Sequence, residues 1–429
     1  MKILFITAGD RLYRYKRGFS KSISYAPLTH AVLAALVPPH YNAEIRINDE
    51  GVEKPVTAGN YDIVAISCVT SSANRAYNLA NFWQEKGSYI LMGGVHPTLM
   101  PEEAAMHCDS VFIGFGEETF LEFLADYAAG KAKKKYIHTQ NCDYLSMPLA
   151  RRDLLSKNYL NIPTVIANRG CQNSCSYCSI HKLWGSKGLL RPVNEVIEEL
   201  RLLKAKRVIF LDPSPGSNVE YATELFKAMI PLKIKWSGLS TIDIVKNEAL
   251  FDLMVESGCE GILAGFETIN QLNLNDVNKK TNIIADYKFG VDQFHKKGIP
   301  ILGCFVAGFD RDTRESLMET IDFINETGID LPRFSILTPF PGTDLFDRYD
   351  KAGRIITRDW DKYDTMNVVF QPLNMERDEL QEVFQDMWRK AYTLKSILKR
   401  INNTDKDKIL KLSVNLGFKY YGYKLRNSI

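Results

Sequence analysis

No apolar run in this 429-residue chain approaches the ~18 residues that a membrane-spanning helix needs, so no integral membrane segment is expected. No secretory leader is expected either, because the apolar start Met1–Ile6 turns polar at Asp10-Arg11, too early for a signal-peptide core. Internal repeats and low-complexity tracts are absent. Charge of one sign is scarce, and a net charge of +3 makes no case for a nucleic-acid partner. These absences leave a cytoplasmic protein as the expectation, with its thiols reduced. In that setting the eight Cys serve metal binding or catalysis more often than disulfides.

Hydrophobic residues make up 45% and charged residues 24%, so an ordinary globular core is affordable without staples. At roughly 150 residues per domain, two or three domains are expected. Residues 1–135 alternate short apolar runs with helical stretches. Candidate strands are Lys2–Thr7, Ala43–Ile47, Ile63–Ser67, Tyr89–Gly94 and Ser110–Gly114, with helices such as Ser72–Gly87 and Glu117–Ala129 between them. That rhythm means crossover units and a doubly wound α/β parallel sheet of Rossmann-like type, with ligands at the carboxyl ends of its strands. Gly130–Lys135 reads as a solvated charge run, and residues 136–162 as a linker without clear period.

From residue 163 to 345 the alternation resumes. Strands are expected at Pro163–Arg169, Arg207–Asp212, Lys235–Ser240, Gly261–Glu267, Ile301–Gly308 and Arg333–Thr338, with helices such as Asn194–Lys204 and Thr313–Thr327 between. Six units are too few for a full eight-unit barrel of ~250 residues, so a partial (β/α)6 TIM barrel is expected. Residues 346–429 form a mainly helical, basic C-terminal region. Within it Asp378–Ile401 has helical apolar spacing at Leu380, Val383, Phe384, Met387, Trp388 and Tyr392, which suits packing on the barrel.

The chemistry concentrates in Arg169-Gly170-Cys171-Gln172-Asn173-Ser174-Cys175-Ser176-Tyr177-Cys178, on the loop after the first barrel strand. Three thiols in eight residues can converge on one metal centre. A [4Fe–4S] cubane normally takes four thiolates, so three would leave one iron open to a substrate. A zinc site of Cys171, Cys175, Cys178 and His181 is the alternative that the residues leave open.

Cys-x3-Cys-x2-Cys with an aromatic before the last Cys, on the loop after the first barrel strand, resembles the radical S-adenosylmethionine (SAM) superfamily. Further segments fall where that family's motifs fall. Asp212-Pro213 ends the second strand, Gly265-Phe266-Glu267-Thr268 the fourth, Gly308–Thr313 the fifth and Leu337-Thr338-Pro339-Phe340-Pro341-Gly342-Thr343 the sixth. The resemblance implies a [4Fe–4S] cluster on Cys171, Cys175 and Cys178. It implies SAM contacts from Tyr177, Asp212, Gly265, Glu267, Gly308 and Thr338, with Glu267 on the ribose. An Arg that many relatives carry at the end of the third strand is missing; this chain reads Leu239-Ser240-Thr241 there.

Residues 25–125 resemble the cobalamin-binding domain in front of many radical SAM enzymes. The carriers are Tyr25-Ala26-Pro27-Leu28, Ile66–Thr70, Gly93-Gly94-Val95-His96-Pro97 and Gly114-Phe115-Gly116-Glu117. The resemblance implies cobalamin contacts at Ser67, Thr70, Gly93, Gly94, His96, Gly114, Gly116 and Glu117. No Asp-x-His occurs, so no axial His ligand to cobalt is expected, and His96 is expected to shape the Gly-Gly turn.

The implied activity is cobalamin-dependent methyl transfer to an unactivated carbon. A radical SAM cyclisation, oxidation or rearrangement is a second reading, and a zinc-stapled corrinoid- or nucleotide-binding regulator is a third. Expected partners are a small-molecule, lipid, tetrapyrrole or peptide substrate and an electron donor such as flavodoxin or ferredoxin.

Overall fold

The computed structural model describes residues 1–11, 24–138, 147–185, 188–401 and 408–426. Cys142 and the middle of the expected linker lie outside these residues. The first sheet contains β1 (Lys2–Thr7), β2 (Glu44–Asp49), β3 (Ile63–Ser67), β4 (Tyr89–Gly93), β5 (Ser110–Ile113) and β6 (Lys135–Ile137), in the order β2-β1-β3-β4-β5-β6 and parallel throughout. Its helices are α1 (Thr29–Leu36), α2 (Ala73–Gln84), α3 (Val95–Leu99), α4 (Pro101–Ala105) and α5 (Gly116–Ala128). A sheet covered on both faces needs near-continuous apolar strands. Accordingly Ile3 and Phe5 join the core with Phe120 and Phe123, while Leu4 and Ile6 join the opposite core with Trp83 and Met92.

The second sheet runs β14-β13-β12-β11-β10-β7, again parallel. Its strands are β7 (Thr164–Val165), β10 (Arg207–Phe210), β11 (Lys235–Leu239), β12 (Cys259–Glu267), β13 (Ile301–Ala307) and β14 (Leu331–Ile336). Between them lie α6 (Ser179–Trp184), α7 (Val193–Leu203), α8 (Val219–Met229), α9 (Glu248–Glu256), α10 (Gln271–Asp276), α11 (Tyr287–Lys296) and α12 (Arg314–Thr327). After β14 come α13 (Asp344–Lys351), α14 (Arg377–Ala391), α15 (Leu394–Ile401) and α16 (Lys408–Arg426). The six-unit partial barrel is therefore as expected from the sequence.

Three local departures have physical causes. The expected first barrel strand is broken after Val165, because Asp212 at the end of β10 accepts the Ala167 N–H at 2.8 Å. The chain then turns, and β8 (Asn168–Arg169) pairs antiparallel with β9 (Leu189–Leu190). The expected helix over 378–401 is two helices. Thr393 Oγ1 accepts the Ser396 N–H at 3.2 Å and caps a new start. The edge strand β6 falls in the lysine run; Tyr136 points into the core while Ile137 is exposed, as a lysine-guarded sheet edge allows.

Residues 343–370 strap the two sheets together. Phe346, Trp360, Tyr363 and Val369 enter the first domain's core, and Trp360 Nε1 donates to Glu103 Oε1 at 2.8 Å. Helix α14 buries Leu380, Val383, Phe384, Met387 and Trp388 on the barrel, the stripe that its spacing predicts.

Candidate active site

The cysteine loop begins at Gly170, whose backbone sits at φ +92°, and a Cβ there would come within 2.9 Å of Gly188 Cα. Only glycine fits such a close approach in the left-handed region. Cys178 N–H closes a turn on Cys175 O at 3.0 Å. The loop is then fastened from two sides. Ser176 N–H donates to Val277 O at 3.0 Å and Ser176 O accepts Leu345 N–H at 2.9 Å. Asn278 Nδ2 donates to Ser174 Oγ at 2.7 Å. Cys175 is buried, and Cys171 and Cys178 are partly exposed; all three are free thiols.

Glu267 terminates β12 at φ +66°, in the left-handed region that a side chain other than glycine rarely adopts. Its bend is braced from behind. Asn282 Nδ2 donates to Gly265 O at 2.8 Å and Tyr287 OH to Phe266 O at 2.6 Å. The carboxylate is nearly buried and pairs with Lys279 Nζ at 2.9 Å. Lys279 in turn lies in the electrostatic reach of Cys175 and Cys178. Burial pushes the Cys175 thiol up to about 11 and also raises Cys178, and the Lys279 ammonium opposes both shifts. Tyr177 stands beside Glu267 and packs edge-on against Phe309 at 6.2 Å. Cys171, Cys175, Cys178, Tyr177 and Glu267 thus share one site, to which the structure adds Lys279, unmarked in the sequence because a lone lysine after α10 reads as a surface charge. Breaking a buried pair on one side leaves an uncompensated charge. We expect Lys279→Met to lower stability by about 3 kcal/mol, read as a shift in denaturation midpoint. Lys279→Met with Glu267→Gln should recover most of that loss.

The other expected contacts are more dispersed. Asp212 is fully buried; one oxygen holds Ala167 N–H, the other has no partner among the described residues, and burial raises its carboxyl to about 7. Gly308, at φ +107°, is held by Asp312, which accepts the Gly308 and Phe309 N–H groups at 2.9 Å each. A Cβ on Gly308 would meet Leu380 and Phe370, so it faces the helical layer. Thr338 Oγ1 donates to Ile336 O at 3.1 Å.

A cavity of about 410 Å³ lies between the two sheets. From the first sheet it takes the strand ends Thr7, Ser67, Gly93, Gly94, Gly114, Gly116 and Glu117; from the barrel it takes Ile166, Asn168, Arg169, Trp184, Leu211 and Pro213. The carboxyl edge of the first sheet and the ends of β7 and β10 therefore open into one space, while Cys171, Cys175, Cys178, Tyr177 and Glu267 are not among its lining residues. Arg169, two residues before Cys171, pairs with Glu117 at 2.6 Å and lies 5.1 Å from the centre of the Phe115 ring, which itself stacks on Trp184 at 6.0 Å. Gly94 sits at φ +99°, where a Cβ would meet Ser67 Oγ at 2.7 Å and Cys68 O at 2.9 Å. Thr70 and His96 do not line the cavity. His96 is completely buried, bonding Tyr77 OH at 3.1 Å and Thr70 Oγ1 at 3.4 Å. The His that the cavity presents is His30 of α1, bonded through Nδ1 to Thr7 Oγ1 at 3.3 Å, with burial lowering it to about 4 and keeping it neutral.

The comparisons with known proteins agree with this layout. Residues 165–324 match the radical SAM superfamily and residues 30–124 the B12 binding domain. Residues 343–409, the strap and the first helices after it, match a domain of unknown function. The chain is 32% identical over 386 residues to the bacteriochlorophyllide d C-12(1)-methyltransferase of Chlorobaculum tepidum, covering 87% of this chain and 84% of that one. It belongs to the radical SAM enzymes that carry a B12-binding domain.

Two solved structures share the fold of this radical SAM enzyme. The methyltransferase TsrM from Kitasatospora setae, with cobalamin and a [4Fe–4S] cluster bound, aligns at a TM-score of 0.64 and 14% identity, over 82% of this chain and 75% of that one. The cobalamin-dependent enzyme OxsB, with aqua-cobalamin and SAM bound, aligns at 0.69 and 15%, over 100% and 71%. The family's cofactors are a [4Fe–4S] cluster, SAM and cobalamin, and its activity is of the cobalamin-dependent methyltransferase type. The residues present fit them. Three free thiols on one braced loop with a buried ammonium beside them suit an anionic thiolate cluster. The glycine-lined edge suits a flat ligand laid against backbone. Among the described residues no three His, Cys, Asp or Glu side chains converge on a single-ion position, whereas the thiolates of a cubane each take a different iron. Membership of this family sets the zinc-stapled regulator aside. Among the described residues no helix is long and apolar enough to cross a membrane.

Proposed function

We propose that the protein methylates an unactivated carbon of a tetrapyrrole-class substrate. The observation that carries the methyl transfer is the cavity that the carboxyl edge of the first sheet shares with the ends of the first two barrel strands, reaching Arg169 at the start of the cysteine loop. A methyl group can reach a substrate carbon only if corrin, substrate and SAM share one space. The tetrapyrrole class rests on the 32% identity to a bacteriochlorophyllide methyltransferase, together with a largely apolar cavity wall from Phe112, Phe115, Leu33 and Trp184.

When bound, the cluster supplies an electron for reductive cleavage of SAM, and cobalamin supplies the methyl group. The chain's own residues do the rest. Cys171, Cys175 and Cys178 hold the cluster. Glu267, fixed by its bend and by Lys279, accepts hydrogen bonds from the SAM ribose. The unpartnered oxygen of Asp212 would accept from a donor such as the SAM amino group. Arg169 and Glu117 tie the corrin edge to the barrel, and the aromatic wall excludes water from the reacting carbon.

Two measurements test these roles. Glu267→Gln should weaken SAM binding by about 1–3 kcal/mol, the scale of a hydrogen bond to a charged group, and spare the iron content; an unchanged SAM dissociation constant rejects the ribose role. Incubation of the reconstituted enzyme with a bacteriochlorophyllide and methyl-deuterated SAM should give a product heavier by one labelled methyl. A product of changed mass without the label moves the assignment to ring formation or oxidation.

A further inference from the structure

The last described helix carries an apolar stripe that is largely exposed. On α16, Ile409, Leu412, Leu416, Tyr420 and Tyr423 are 84%, 37%, 42%, 45% and 66% exposed. Their steps of three and four residues place them on one face, within about 80° of arc at 100° per residue. The opposite face is spent inside the protein. Asn415 is buried and bonds Arg400, Lys411 is buried against Asp330, and Phe418 stacks near Trp388. Helix α15, packed beside α16, exposes Leu394 and Leu398 at 58% and 56%, with Lys395 and Lys399 exposed next to them. An apolar stripe repeated along one helix face is more than the scattered single residues of an ordinary surface.

The charge around the stripe decides what can cover it. Residues 394–429 hold nine Lys or Arg and two Asp; setting aside the buried Arg400 and Lys411 leaves seven against two, a net +5 in a chain whose total is +3. Besides the buried Lys411, the sequence of α16 has four basic residues and no acidic one. Lys408 and Lys419 are exposed at one flank of the stripe. A second copy of the same face would bring like charges together, which works against a dimer through it. An anionic surface with an apolar interior answers both features. Tyrosines at 420 and 423 are residues whose rings sit well at a lipid headgroup boundary.

We propose that α15 and α16 form an interfacial docking surface for an anionic phospholipid bilayer, with the α16 stripe entering the headgroup layer and the lysines meeting lipid phosphates. This surface would hold the enzyme where an apolar substrate is dissolved. It does not depend on the cofactors or on the tetrapyrrole assignment.

The test is co-sedimentation of the holoenzyme with vesicles of phosphatidylcholine alone and of phosphatidylcholine mixed with phosphatidylglycerol. Binding is expected to the mixed vesicles and to weaken with added salt. Leu412→Asp with Leu416→Asp, both at exposed positions, should cut that binding at least about tenfold. Iron content and SAM cleavage in solution should stay unchanged in that variant. Ile283→Asp, at an exposed apolar site elsewhere, should bind like the parent. Absence of binding to the mixed vesicles, or equal binding by the double variant, overturns the proposal. So does a solution dimer that the double variant dissolves.

Discussion

Replacement of any one of Cys171, Cys175 and Cys178 by Ala is expected to strip most of the iron and reduce SAM cleavage to background. The three thiols sit on one loop fastened at Ser174 and Ser176, and none of the other cysteines among the described residues lies on it. Cys68 and Cys108 lie in the first domain's core, and burial raises both. Cys259 and Cys304 lie on separate barrel strands, each raised by burial to about 12. Their replacement should leave iron unchanged. Iron counting after anaerobic reconstitution checks both halves. Full iron in any of the three single variants refutes the ligand set, and so does a tightly held zinc that needs His181.

The second large effect concerns cobalamin. Gly93 lines the interdomain cavity, and a Cβ there would meet only Phe112 Cβ at 3.4 Å, an ordinary contact. A side chain at 93 is therefore tolerated by the fold but projects into the space meant for the corrin. Gly93→Leu is expected to abolish cobalamin retention while leaving the cluster and uncoupled SAM cleavage largely intact. Gly94 is a poorer probe, because its positive φ and its closeness to Cys68 O strain any substitution by about 1–3 kcal/mol before cobalamin is considered. Cobalamin absorbance after gel filtration reads the result. Retention by Gly93→Leu at the level of the parent contradicts the placement.

Much of this was legible in the residues. Strand positions followed from apolar runs at regular spacing, and both sheets emerged parallel because most strands are followed by a helix-like segment, β2 reaching β3 without one. The cysteine loop was legible because three identical ligands in eight residues carry their own spacing. What escaped were features made by tertiary contact. Lys279 joins Glu267 only because β12 bends back at φ +66°, and no local pattern announces a left-handed glutamate. The ion pair of Arg169 with Glu117 spans two domains and has no sequence period. His96 sits in a Gly-Gly turn at the ligand edge, yet its ring turns inward to Tyr77 and Thr70. The absence of Asp-x-His speaks only of one loop; His30 reaches the cavity from α1 instead.

The cavity also explains why the two domains act as one enzyme. The strap with Phe346 and Trp360, the pair Arg169–Glu117 and the stack Phe115–Trp184 all fix the corrin edge relative to the cysteine loop. A misplacement of about 1 Å between reacting groups can cost about a hundredfold in rate. On the proposed function, the interface would therefore position the reacting groups as well as join the two domains.

The most direct test of the central claim is anaerobic reconstitution with iron, sulfide, methylcobalamin, SAM and a bacteriochlorophyllide, with a one-electron reductant present. The account predicts 5′-deoxyadenosine and S-adenosylhomocysteine in about equal amounts, together with methylated product, since one SAM is spent on the radical and one on restoring the methyl group. Formation of 5′-deoxyadenosine alone, with no S-adenosylhomocysteine and no methylated product, would contradict it.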